Sequence, residues 1–194
     1  MKAIAAIILL SAAGSLSAGY WGGTSAGLDM TYLSWEHGGH LSWSFLSAFG
    51  PRLFDDVFLR AKVSIPAPLP VIIGNQISLG GEISYLPLNP EAGPAVETSL
   101  GVSWCYMWPE HTIVILADGD TADPPPQHSF DRAGGLRLEA LSSFGYRFDD
   151  AAFWLDLGID HRIMDVERTV GGEKVRGDYT FTGPRIGVSI DCYF

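Results

Sequence analysis

The chain has little charge and few thiols: 18% of its 194 residues are charged and two are cysteine. Basic residues are the scarcer kind, 12 against 22 acids, for a net charge of −10. A nucleic-acid binder carries the opposite surplus, because it must neutralise phosphates, so that class is excluded. A hydrophobic content of 47% excludes a disordered chain, which stays unfolded for want of apolar surface to bury. Long apolar runs are missing after the N-terminus, and so is any recurrence of apolar residues at helical spacing. A mean hydropathy of +0.17 must then be spread through many short segments.

The one apolar run that exists opens the chain. Lys2 precedes Ala3 to Ala13, and Ser15, Ser17 and Gly19 supply small residues at signal-peptidase spacing. A span of roughly 11 residues is too short for a membrane helix, which needs about 20. Residues 1–19 are therefore expected to be a cleaved secretory signal, with residues 20–194 forming one domain. No cysteine follows the apolar run, which argues against an N-terminal lipid anchor. Export invites disulfides, yet Cys105 and Cys192 fall far apart in strand order, so two free thiols are expected.

What is present is alternation. Apolar residues recur at every second position in eight runs, 24–35, 40–49, 56–65, 76–86, 94–107, 132–147, 151–164 and 180–194, separated by clusters of Gly, Pro, Asn and Asp. In the last run Thr180, Thr182, Pro184, Ile186, Val188, Ile190, Cys192 and Phe194 share a face, and Arg185, Gly187, Ser189 and Asp191 share the other. Successive side chains of a strand point to opposite faces, so each run has one greasy and one polar side.

Alternation alone does not say which side is inward. Three features choose. The polar set is nearly balanced: Arg60, Lys62, Arg137, Arg147, Arg162 and Arg185 against Asp29, Glu82, Glu97, Glu139, Asp156, Asp160 and Asp191. Balance suits an enclosed space where charges must pair. The apolar set is too bulky for the lumen of eight strands, which is expected to hold small and polar residues and ion pairs. Aromatic residues gather at the run ends, Phe58, Tyr85, Phe144, Tyr146, Phe153 and Phe194 at one level and Trp104, Tyr106 and Tyr32 at the other, as girdles do where lipid meets water. The expectation is an all-β, eight-stranded antiparallel up-and-down transmembrane barrel, greasy side outward. Connections 50–55, 87–93 and 148–150 would be short periplasmic turns. Those at 36–39, 66–75, 108–131 and 165–179 would face outside; 36–39 is the short exception. Ile113–Leu116 and the Val170-Gly171-Gly172 region look like strand extensions with a hairpin tip.

The last run ends in Phe194 with apolar residues at every second position back to Ile186. This resembles the C-terminal signature by which the barrel-assembly machinery recognises outer-membrane barrels, with Cys192 in place of a larger apolar residue. Over residues 20–194 the pattern resembles the small eight-stranded bacterial outer-membrane proteins, the class of the OmpA membrane domain, OmpX and OmpW. The resemblance implies outer-membrane lipid and that machinery as partners and a location in the cell outer membrane; no periplasmic peptidoglycan-binding domain is expected, since the sequence stops at Phe194.

Residues able to do chemistry are few. His37, His40, His111, His128 and His161 all fall at the expected outer end, but in no tight metal-binding spacing. Asp118, Asp120 and Asp123 form an acidic loop beside Pro124-Pro125-Pro126, without the calcium-loop pattern. His161 lies on the greasy side near Thr180 and Thr182; nucleophilic catalysis would need a Ser or Thr within reach of it and an orienting acid, and no serine is expected on that face in register. No catalytic, cofactor or metal site is expected. The expected role is membrane structure or surface interaction through acidic outer loops. A lipid A hydrolase or acyltransferase is the competing class, and a narrow channel or small-ligand carrier the third.

Overall fold

The computed structural model describes residues 22–36, 38–54, 56–66, 76–88, 92–108 and 130–193. The expected signal peptide, Phe194, and the segment Ile113–Leu116 lie outside the described residues.

Each alternating run becomes a strand: β1 (Gly22–Trp35), β2 (Gly38–Phe54), β3 (Val57–Pro66), β4 (Gln76–Leu88), β5 (Ala92–Met107), β6 (Arg132–Phe148), β7 (Ala151–Val170) and β8 (Glu173–Tyr193). Neighbours in sequence pair antiparallel, and β8 closes on β1 in a barrel. Closure is in register at both ends of the seam, from Gly23↔Tyr193 to Ser34↔Thr182. It leaves no open sheet edge, the one arrangement in which strands satisfy every backbone group inside lipid.

Strands run further than the alternation suggested. β2 continues through Pro51 to Phe54, absorbing most of the expected turn, with a register shift between Arg52 and Phe54. At the opposite end, β7 and β8 stay paired up to Val170↔Glu173. The segment 165–179 is thus mostly strand, and the hairpin tip falls at Gly171-Gly172 as expected. Both glycines have positive φ, 62° and 89°, the conformation a two-residue type I′ hairpin turn demands. The extension is polar and alternates weakly, so hydrophobic periodicity could not find its limits.

The greasy side faces outward. Leu79, Leu100, Trp104, Ile159 and Val188 are among the most exposed side chains, while Arg60, Lys62, Arg137, Glu139, Asp160, Arg162 and Arg185 are buried. On β7 this outer belt spans ten residue steps, from Phe153 to Ile163. That is about 34 Å of strand, or roughly 26 Å along the barrel axis at a tilt of ~40°, the height of a lipid-facing band. Phe58 departs from the expected girdle. It lies on the same parity as Arg60 and Lys62, is 4% exposed and points into the barrel.

Candidate functional site

The lumen is filled in three layers. Around the middle, Arg60 bonds Glu97 through both terminal nitrogens at 3.0 and 3.3 Å and reaches Asp191 at 3.0 Å. Lys62 joins Glu82 at 3.0 Å to Glu139 at 2.7 Å. Glu139 in turn holds Arg137 at 2.6 Å and also pairs with Arg185. Arg137 continues to Asp160 at 2.7 Å, Arg185 to Asp29 at 3.0 Å, and Asp160 to Arg162 at 2.8 Å. Ser44 on β2 donates to Asp29, so all eight strands contribute. Asp156 stands at the edge, where Ser189 donates to it at 2.8 Å. The expected polar set is thus brought together, except that Arg147 sits half-exposed at the short-turn mouth, its guanidinium 4.7 Å from the Tyr193 ring. Isolated charges in such an interior would be prohibitively costly. Mutual pairing is the condition on which they can be there at all.

Apolar layers close both sides of this network, which corrects the expectation of a lumen filled by small and polar groups. Toward the long-loop end Leu33, Trp35, Cys105, Met107, Phe130, Met164, Val166 and Phe181 pack together. Trp35 stacks on Phe181 with ring centroids 4.8 Å apart. Toward the short-turn end Phe58, Leu86, Ala95, Ala152, Trp154 and Tyr193 form the second layer. Except for Phe130, which precedes β6, these residues continue the inward parity of the charged positions beyond the middle of each strand. Extending the parity to the run ends would have found them. Arg162 touches the upper layer, donating to Met107 Sδ and lying 3.6 Å from Cys105 Sγ. Cys105 is buried and Cys192 exposed, both free.

On the outer face, His161 Nδ1 lies 2.8 Å from Thr182 Oγ1. Thr182 pairs in turn with Ser34 on β1, so a serine does stand in that row, contrary to expectation. It was missed because β1 joins β8 only on closure. Thr182 is the sole described hydrogen-bond partner of His161, and no carboxylate orients the imidazole among the described residues. The side chain of His40, together with His37, His111, His128, Asp118, Asp120 and Asp123, lies outside the described residues. Among the described residues no group of His, Cys, Asp and Glu is arranged to hold a metal.

Above the belt, β6, β7 and β8 carry a charged outer row. Arg132 meets Glu167 at 2.6 Å, Lys174 meets Glu167 at 2.8 Å, and Arg176 pairs with Asp165. The hydrogen bond from Arg176 holds the Asp165 carboxyl below the usual carboxylate range. Those from Lys174 and Arg132 do the same for Glu167.

No known sequence family matches the chain, and no curated protein does. Among solved structures it is similar to Neisserial surface protein A, with a TM-score of 0.53 at 13% identity over 89% of this chain and 97% of that one. It is also similar to the outer membrane protein OprG from Pseudomonas aeruginosa, with a TM-score of 0.51 at 11% identity over 90% and 96%. The fold is that of the small eight-stranded outer-membrane β-barrels, the class the alternation suggested. With its apolar belt outward and its charges paired inside, the chain is an integral barrel of the outer membrane.

Proposed function

We propose that the barrel is sealed, and that it serves membrane structure or surface interaction through its outer loops rather than transport or catalysis. The supporting observation is the three-layer lumen, in which an ion-pair network is covered on both sides by packed aromatic and aliphatic side chains. Eight strands leave an interior just wide enough for side chains, and here side chains occupy it. The end with longer connections faces outside in this reading. Those connections carry Glu36, Glu110, Asp118, Asp120, Asp123 and Asp131, so a partner docking there meets an acidic surface. Planar-bilayer recordings of the purified barrel test the seal: no steady conductance is expected. Ohmic channels would replace this reading with a pore.

The lipid-modifying alternative has one observation in its favour, the His161–Thr182 hydrogen bond on the outer face. Among the described residues no carboxylate orients the pair, which there lacks the third member that sets the imidazole tautomer. Incubation with lipid A should give no product from the native chain. Turnover abolished by His161→Ala would establish the enzyme instead.

A further inference from the structure

Barrel closure makes no use of one outer feature of the β6–β8 extension, a groove of about 290 Å³. Trp104 and Tyr106 of β5 form its wall and Gly134 its floor, with Arg132, Glu167 and Arg176 along its rim beside Asp165. Trp104 pairs with Leu136, and Leu136 with Ile163, so the wall runs without a break into the apolar belt. Arg132, Glu167 and Arg176 face one another in one row across three strands. That row lies four residues beyond Ile163, about 13 Å along the strand and roughly 10 Å in height after tilt. This is headgroup depth.

Cation placement is the second observation. Arg132, Arg168, Lys174 and Arg176 are the only basic residues of the sequence beyond the belt at this end, and all four lie on or beside the extension. The connections around them are acidic. Arg132 and Arg176 each spend Nε and Nη2 on a carboxylate. Each guanidinium is thereby held in place with its Nη1 edge left for an outside acceptor, and the guanidinium fork suits phosphate geometry.

We propose that this groove seats the phosphorylated headgroup of an outer-leaflet lipid. The phosphate takes the Nη1 edges of Arg132 and Arg176, and the acyl chains follow the wall below Trp104. A free phosphate would gain nothing from the aromatic wall, which is why the lipid is the occupant. The inference rests on the outer-membrane reading above.

Native mass spectrometry of the full barrel in detergent tests it, with diphosphorylated lipid A and its dephosphorylated form as probes. The native chain should prefer the phosphorylated lipid by about tenfold, the equivalent of one charge-assisted hydrogen bond. An R132Q/R176Q variant should lose that preference, and Arg52→Gln, at the opposite end, should keep it. Trp104→Ala should weaken both lipids alike. Should the double variant fail to fold, judged by heat-modifiable migration, Arg176→Gln alone near the exposed hairpin tip gives the same reading at smaller amplitude. Absence of preference in the native chain, or a preference that survives the arginine variants, overturns the proposal. So does complete displacement by millimolar inorganic phosphate, which would mark a free-anion site. A barrel that inserts into vesicles but shows no preference sinks this inference alone, whereas one that stays soluble without detergent sinks the reading beneath it.

Discussion

Glu139 is the residue on which the interior turns, because three cations converge on it: Lys62, Arg137 and Arg185. Its removal leaves positive charge facing positive charge in a space shut off from water. Breaking a buried pair in this way costs about 3–5 kcal/mol, so Glu139→Ala should lower the unfolding free energy in urea by that amount. Glu139→Gln, which keeps the shape and one acceptor, should cost less. A residue on the other wall face tests the orientation itself. Leu157, in the middle of the belt on β7 and 40% exposed, meets acyl chains in this arrangement. Leu157→Arg should therefore cost roughly 2–4 kcal/mol in a bilayer refolding titration, whereas a water-facing leucine would tolerate the change. Inward and outward residues were legible in the sequence wherever charge marked the inward parity, as at Arg60, Glu139 and Arg162. Phe58, Trp35 and Phe181 share that parity, but an aromatic near a strand end looks like a girdle residue unless the parity is carried past the charged stretch to place it inside.

The β7–β8 hairpin is the element with the most structure outside the belt. Its pairing beyond Ile163 and Thr180 depends on ion pairs and on the Gly171-Gly172 turn. Substituting Val for Gly172, whose φ is 89°, should fray the tip, visible as faster amide exchange from Glu167 to Arg176 with the barrel intact. A β-branched residue is poorly accommodated there. Acid should act on the same element. The Asp165 and Glu167 carboxyls are held below their ordinary values by Arg176, Lys174 and Arg132. Their contribution is complete above those ordinary values, near pH 4, and is lost as pH falls through the lowered ones. The protection factor at the tip, with the pH dependence of intrinsic exchange divided out, should accordingly stay flat from pH 7 to 5 and fall only below about pH 4. The extension was only partly legible. The Gly-Gly signal marked the tip, but charged residues on an alternating strand look like loop until cross-strand pairing places Arg132, Glu167 and Arg176 in one row.

At the scale of the whole molecule, barrel class and strand order were legible because period-two patterning over eight runs is a property of the complete chain. What fills the lumen was not, because it depends on which strands end up adjacent across the interior. Arg60 on β3 binds Asp191 on β8, and Asp29 on β1 binds Arg185 on β8. The final strand thus carries an acid for an early base and a base for an early acid. A chain halted before β8 would leave Arg60 with Glu97 but without Asp191, and Asp29 with Ser44 but without Arg185, each with part of its pairing missing. Intermediates lacking the last strand are penalised electrostatically, so assembly should be cooperative, with tryptophan fluorescence and SDS resistance developing together. The same interlock makes the interior a record of completion: only a chain that has found both of its ends can join Arg60 to Asp191 and Asp29 to Arg185.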